Sequence, residues 1–135
     1  MTGLAEAFAY FGAAGKNPRW SWSARTPDGE IVLTLWKDGF DYSTKPLTYG
    51  SIAEGAAPEW IDRAGNQERL ENLVWALDHR DGEFRVVVVV AVDEKANPRQ
   101  IRESYPQPRM LGKITKLNRE TGEFEAVILD GTRNA

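Results

Sequence analysis

The sequence predicts an α+β fold: a single small domain, residues 1–135, with a curled, mostly antiparallel five-stranded sheet or pseudo-barrel and two main helices. Two segments carry apolar residues at helical spacing, and five short segments are rich in β-branched or aromatic residues. An open parallel sheet requires strands that alternate regularly with helices, and these strands do not alternate in that way. The 135 residues, of which 41% are hydrophobic, suffice for one globular core.

The amino-terminal quarter predicts a helix followed by a hairpin. Apolar residues recur at helical spacing between Leu4 and Phe11, with Thr2 as a cap and glycines at the end. Pro18 breaks this helix, and the stretch RWSWSAR then alternates large and small residues with the period of a strand. TPDGE is a turn sequence, so EIVLTLW returns as the second strand.

The remaining elements follow in order along the chain. From Lys37 to Gly65 no period is sustained, which predicts a long loop. NQERLENLVWALDHR predicts a helix that buries an apolar stripe, and EFRVVVVVAVD predicts a central strand covered on both faces. NPRQIRESYPQP predicts a short helical turn, and RMLGKITKLN and FEAVILD predict a closing hairpin around Thr121-Gly122. The residues of the apolar stripe are Leu70, Leu73, Val74 and Leu77.

Composition excludes several classes of protein. Cysteine is absent, which removes disulfides, thiolate nucleophiles and cysteine-based metal sites. The amino terminus lacks the charged region of a signal peptide, and the longest apolar run is too short to span a bilayer. We therefore expect a soluble, cytoplasmic protein without a membrane partner. No glycine-rich nucleotide-binding motif occurs, so we predict no cofactor and no resident metal.

Charge is distributed unevenly along the chain. The net charge is −3, which argues against a general polyanion binder. Residues 95–119 nevertheless carry seven cations and one acid, a net charge of +6, whereas residues 50–71 carry a net charge of −3. A folded chain of this kind presents one basic and one acidic surface.

The stretch GKNPRWSWSAR places two indole rings among basic residues. In strand geometry Trp20 and Trp22 project to one face, and Ser21 and Ser23 project to the other. Such a strip is either part of the core or a platform on which a base stacks. We predict that among Trp20, Trp22 and Trp36 at least one lines a pocket and at least one belongs to the core.

The segment LWKDGFDYSTKPLTYG contains a second group of aromatic and acidic residues. Aromatic rings beside a carboxylate grip a planar heterocycle, because the rings stack and the carboxylate accepts its N–H donors. Trp36, Asp41 and Tyr42 are the candidates here. The alternative is a loop whose aromatic rings tuck under the sheet and whose aspartates form side-chain turns.

Two further patterns bear on catalysis. Asp93-Glu94-Lys95 follows a buried strand and, with Asp81 as an earlier acid, loosely resembles the metal site of PD-(D/E)XK nucleases, in which carboxylates hold Mg²⁺. The alternative is a strand that ends in a charged turn. His79, the one histidine, ends the second predicted helix, where a cation is favourable without any catalytic role.

The order of elements resembles the PUA-like superfamily, which includes EVE and SRA-type domains that read modified bases. The resemblance covers the helix, the aromatic-rich hairpin, the loop-rich middle and the closing strands. It implies binding of RNA or DNA, with an extruded base held between aromatic rings and a carboxylate. On that basis Asp41, Tyr42 and either Trp20 or Trp22 would hold the base.

The sequence therefore favours a non-enzymatic domain that binds DNA or RNA and recognises an exposed or flipped base, which includes a modified base. A PD-(D/E)XK-type nuclease and a protein-interaction module with a protein partner are the alternatives. The predicted base-binding residues are Trp20, Trp22, Trp36, Asp41 and Tyr42. The predicted phosphate-binding residues are Lys16, Arg19, Arg99, Arg102, Arg109 and Lys113.

Overall fold

The computed structural model describes residues 3–16, 21–50, 64–93, 95 and 100–130. It contains two α-helices, a short 3-10 turn and seven strands within these ranges. The helices are α1 (Leu4–Tyr10) and α2 (Ala64–His79), and the 3-10 turn covers Lys37–Gly39. The strands are β1 (Ser23–Arg25), β2 (Ile31–Trp36), β3 (Phe40–Asp41), β4 (Leu47–Gly50), β5 (Glu83–Ala91), β6 (Ile101–Leu117) and β7 (Phe124–Asp130).

All seven strands join one mixed sheet in the order β1-β2-β5-β6-β7-β4-β3. β2 and β5 are parallel, and every other neighbouring pair is antiparallel. The chain reaches β5 from β2 by way of α2, since a parallel partner requires a crossover connection. The valine-rich β5 therefore lies inside the sheet between β2 and β6, as its unbroken apolar run predicts.

The two faces of the sheet support separate core clusters. Alternate valines of β5 point to opposite faces, so Val86 and Val88 join one cluster, and Val87 and Val89 join the other. The first core cluster lies against α2 and includes Ile31, Leu33, Leu35, Leu73, Ala76, Phe84 and Phe124. The second core cluster lies against α1 and includes Ala7, Phe8, Ala24 and Val32.

The chain is α+β with two α-helices among the described residues, but the prediction of a curled, mostly antiparallel five-stranded sheet or pseudo-barrel is wrong. The sheet has seven strands, is open, and contains the parallel pair β2 and β5. Two of the strands, β3 and β4, lie in the segment predicted as a loop and are two and four residues long. Strands this short carry too few residues to display a period of two.

The prediction of a short helical turn before the closing hairpin is also wrong over the described residues 100–108. Ile101–Leu117 is one continuous strand, paired with β5 from Ile101 to Lys113 and with β7 from Met110 to Leu117. Pro108 falls within the irregularity that separates two stretches of the β5 register, a position that tolerates a missing N–H. Prolines therefore do not end this strand.

The other predicted elements are confirmed. The hairpin of β1 and β2, the helix α2, the central strand β5 and the hairpin of β6 and β7 all form. Gly29 and Gly122 have positive φ angles in the two hairpin turns, as the turn sequences require. No helix among the described residues is long and apolar enough to cross a membrane.

Close packing of Phe84 against the backbone of β6 predicts the effect of one substitution. A Cβ atom at Gly112 would lie 2.1 Å from the Phe84 ring, so we expect Gly112→Ala to lower the free energy of unfolding by about 1–3 kcal/mol. Chemical denaturation measures the change. Gly50→Ala is the matched control in β4, because its nearest neighbour lies 3.9 Å away. Equal stability of the two variants would contradict this packing.

Candidate functional site

Several polar residues of α2 are buried, while others on the same helix are exposed. Of the predicted apolar stripe, Leu73 is fully buried, while Leu70, Val74 and Leu77 are half-buried. The helix is rotated so that polar side chains face inward beside Leu73 and Ala76. These buried polar residues are Asn66, Glu68, Arg69 and Asn72. Burying polar groups is costly unless they are bonded, so their partners define the most constrained polar region of the described chain.

Arg69 lies at the centre of this region. Its side chain is only 1% exposed, and its guanidinium carbon lies 5.0 Å from the centre of the Trp22 ring and 5.1 Å from that of Phe124. Arg69 also donates to Asn66 Oδ1 at 3.4 Å, and the Asn66 amide donates to the carbonyl of Thr121 at 2.9 Å. One buried cation thereby joins α2 to the residue before β1 and to the hairpin of β6 and β7.

Asn72 fastens the β1–β2 hairpin to the same side of α2. Its side-chain oxygen accepts from Arg25 Nε at 3.2 Å and Nη2 at 3.0 Å, and its nitrogen donates to Ser23 Oγ at 2.7 Å. The Arg25 guanidinium lies 4.3 Å from the centre of the Trp75 ring. Trp75 Nε1 donates to the carbonyl of Gly29 at 2.9 Å, which holds the hairpin turn.

Lys16 is held by two carboxylates on α2. Its backbone N–H donates to Glu68 Oε2 at 2.7 Å, and its ammonium group pairs with Glu71 Oε2 at 2.9 Å. Glu68 is only 5% exposed, whereas Glu71 and the Lys16 side chain are exposed. Lys16 and Trp22 both belong to the basic and aromatic stretch. They contact the consecutive helix residues Glu68 and Arg69.

The predicted aromatic strip differs from the structure. The strand begins at Ser23, so Trp22 precedes it, and Ser21 and Ser23 are buried while Trp22 is half-buried. Ser23 and Trp22 both contact α2 instead of pointing to opposite faces. Trp20 and Arg19 lie outside the described residues, so the strip as a pair of rings is not described.

Trp36, Asp41 and Tyr42 are not brought together with Trp22. Trp36 is half-buried and packs against the second core cluster beside α1, on the opposite face of the sheet from α2. Asp41 is exposed at the end of β3, and the Tyr42 side chain is 69% exposed. The structure therefore separates the predicted base-binding residues into two locations.

Asp41 forms a side-chain turn, as the alternative interpretation of this segment predicted. Its Oδ1 accepts from Ser43 Oγ at 2.6 Å and from the Ser43 N–H at 2.9 Å. The hydroxyl and then the N–H of Ser43 hold the pKa of the Asp41 carboxyl below its usual range, against a small opposing effect of desolvation. Asp41 Oδ2 accepts no hydrogen bond within the described part of the chain.

The predicted phosphate-binding residues fall into two groups. Lys16 pairs with Glu71, and Arg102 pairs with Glu103 at 3.2 Å. Arg109 and Lys113 are exposed on β6 and form no ion pair with any described residue. Arg19 and Arg99 lie outside the described residues. Of the four predicted cations that the structure describes, Arg109 and Lys113 are therefore both exposed and available.

The sheet register places Lys113 in one row with Asp41. Lys113 lies opposite Val127, Val127 opposite Thr48, and Thr48 opposite Asp41. Directly opposed residues share a face, so this row crosses the face of the sheet away from α2. Lys113 and Asp41 are three strands apart, about 14 Å. Arg109 is exposed four positions before Lys113 on β6, within the same irregularity of the β5 register as Pro108.

Of the predicted nuclease residues, Glu94 lies outside the described part of the chain, and Asp81 and Asp93 are not brought together. Asp81 precedes β5 and Asp93 follows it, so the nine residues of that strand separate the two carboxylates. Asp93 Oδ1 accepts from the Lys95 N–H at 2.9 Å, which is a local turn. No group of three metal-ligating side chains occurs among the residues described. His79 contacts Trp75 in the last turn of α2, with ring centres 4.0 Å apart.

Sequence reasoning missed the buried residues of α2. Asn66, Arg69 and Asn72 recur every three residues and share a helix face with Leu73 and Ala76. That spacing was visible in the sequence, but polar residues on one side of a helix ordinarily indicate solvent. The burial of Asn66 and Asn72 depends on hydrogen bonds to Ser23, Arg25 and Thr121. Each of these partners lies more than 40 residues away in the sequence.

The Asp41 turn predicts a measurable change in pKa. Removing the Ser43 hydroxyl in Ser43→Ala leaves only the N–H to stabilise the ionised carboxyl, so we expect the Asp41 pKa to rise toward its usual range. NMR titration of the carboxyl carbon measures it. The pKa of Asp41 is lower in the folded protein than in the unfolded chain. The turn therefore stabilises the fold at pH values above the unfolded-state pKa of Asp41. This stabilisation disappears as the pH falls through the folded-state pKa. An unchanged pKa in Ser43→Ala would contradict the assignment.

Comparison of this chain with protein-family models, with curated proteins and with solved structures finds no significant match. The resemblance to the PUA-like superfamily consequently stays a prediction. Any proposal about function depends on the residues and geometry described above.

Proposed function

We propose that this chain is a non-enzymatic nucleic-acid-binding domain that contacts phosphates through β6 and recognises an exposed or flipped base. The observation that carries the proposal is the pair Arg109 and Lys113, exposed on β6 and without an ion-pair partner among the described residues. The two residues are four positions apart along the strand, at most about 13 Å. Two exposed cations along one strand suit the backbone of an extended nucleic acid.

The acidic net charge restricts how binding occurs. A chain with net charge −3 has no general attraction for polyanions, so affinity has to come from a local basic surface. Lys116 lies farther along β6 and pairs with Glu125 at 3.5 Å. The available charge on this strand is therefore concentrated at Arg109 and Lys113.

Base recognition is proposed at Trp22. Its indole lies half-buried on the guanidinium of Arg69, which is itself held by Phe124 and Asn66. A ring fixed in this way suits stacking of a base, an interaction worth about 1–3 kcal/mol per base. Asp41 and Tyr42 lie elsewhere and would contact other parts of a bound strand.

Salt dependence tests the leading proposal. We expect a fluorescein-labelled ten-nucleotide single strand to bind at low salt, with affinity that falls as salt rises, because bound cations release counterions. The double variant Arg109→Gln and Lys113→Gln should reduce the slope of log affinity against log salt by about 1.4, since each phosphate contact on a single strand contributes about 0.7. Fluorescence anisotropy measures both quantities.

Lys116→Gln is the control, because it removes the same charge from the same strand at a position already paired with Glu125. We expect a smaller change in slope per charge than at Arg109 or Lys113. Absence of binding at low salt, or a slope that does not differ among the variants, would overturn the phosphate-contact proposal.

A further inference from the structure

Glu68 has an unused acceptor at a buried position. Its Oε2 accepts the Lys16 N–H at 2.7 Å, while its Oε1 is buried and has no hydrogen-bond partner among the described residues. Buried polar atoms are nearly always bonded, so an unsatisfied one in a native protein calls for an explanation such as a missing ligand. Leaving a carboxylate oxygen unbonded is especially unfavourable, because charged groups lose the most on leaving water.

The surroundings of Glu68 indicate what this oxygen would bind. Glu68 and Arg69 are consecutive residues of α2, so the free acceptor and the cation that supports the Trp22 ring belong to one helical turn. The cluster reaches the surface at the half-buried Trp22 and the exposed Lys16. A ligand for this place needs a flat ring and an N–H donor.

We propose that Glu68 is a specificity-determining residue that accepts a hydrogen bond from the exocyclic amino group of a base held at Trp22. This inference rests on the proposed function of nucleic-acid binding. It selects the bases that carry an exocyclic amino donor, which are cytosine, adenine and guanine, over thymine. The ring N–H of thymine lies between two carbonyl oxygens, and these repel a carboxylate.

Short homopolymers of equal length test the inference. Labelled dC10, dA10 and dT10 carry the same backbone charge, so the phosphate contribution cancels and differences in affinity report on the base. We expect wild-type protein to bind dC10 and dA10 at least about tenfold more tightly than dT10, the effect of one charge-assisted hydrogen bond. In Glu68→Gln this preference should fall to less than about threefold.

Glu71→Gln is the matched control on the same helix. It removes the same charge three residues away, at an exposed carboxylate that pairs with the Lys16 ammonium group. We expect any change in affinity to be equal for the three oligonucleotides, so the wild-type preference is retained. Glutamine has the shape of glutamate and keeps an oxygen for the Lys16 N–H, so circular dichroism should show Glu68→Gln folded.

Each outcome decides between the two proposals. Equal binding of dC10, dA10 and dT10 by wild-type protein would overturn the role of Glu68, whatever the variant does, and would leave phosphate binding intact. A preference that persists in a folded Glu68→Gln variant would also overturn it. Failure of all three oligonucleotides to bind at low salt would overturn the proposed function together with this inference.

Discussion

The burial of Arg69 is the constraint on which the rest of the structure depends. A guanidinium removed from water is unfavourable unless its surroundings replace the lost hydration. Trp22 and Phe124 lie at about 5 Å from it, and Asn66 accepts one of its donors. Because these partners belong to separate parts of the chain, they surround the guanidinium only when the segment before β1, the helix and the closing hairpin are all in place.

The contact with Arg69 defines the structural role of Trp22. Trp22 is neither a core residue on an amphipathic strand nor an isolated surface ring, since it rests on a buried cation at the margin of the first core cluster. Cation–π contacts strengthen as both groups lose water, so the half-buried position favours this pair. A ring held by such a contact has a fixed orientation, which reduces the entropy lost when a base stacks on it.

The two proposed contact surfaces lie on opposite sides of the sheet. Lys113 occupies the face away from α2, whereas Glu68 belongs to α2 and Trp22 packs against it. Substitutions on one side share no partner with residues on the other, so their effects on binding should be additive. Phosphate affinity and base preference are therefore separable properties of this chain.

Local sequence signals determined how much of the structure was predictable. The Asp28-Gly29 turn and the Thr121-Gly122 turn specify their hairpins through backbone conformation, and the valine run specifies β5. The side that α2 buries was not predictable, because its polar residues are bonded to Ser23, Arg25 and Thr121, all distant in sequence. Arg109 and Lys113 were predicted as phosphate-binding residues of one strand, but the row that joins Lys113 to Asp41 depends on β3 and β4, which are too short to display a period.

A double-mutant cycle between Trp22 and Arg69 tests whether the buried cation holds the indole ring in place. The free energy of unfolding is measured for wild type, Trp22→Ala, Arg69→Met and the double variant. The hydrogen bond of Arg69 to Asn66 is lost in both variants at position 69, so it cancels in the coupling energy. The account predicts a coupling energy of about 1–2 kcal/mol, the magnitude of a partly desolvated cation–π contact. Additive effects, with a coupling below about 0.3 kcal/mol, would show that Arg69 does not hold Trp22 in place.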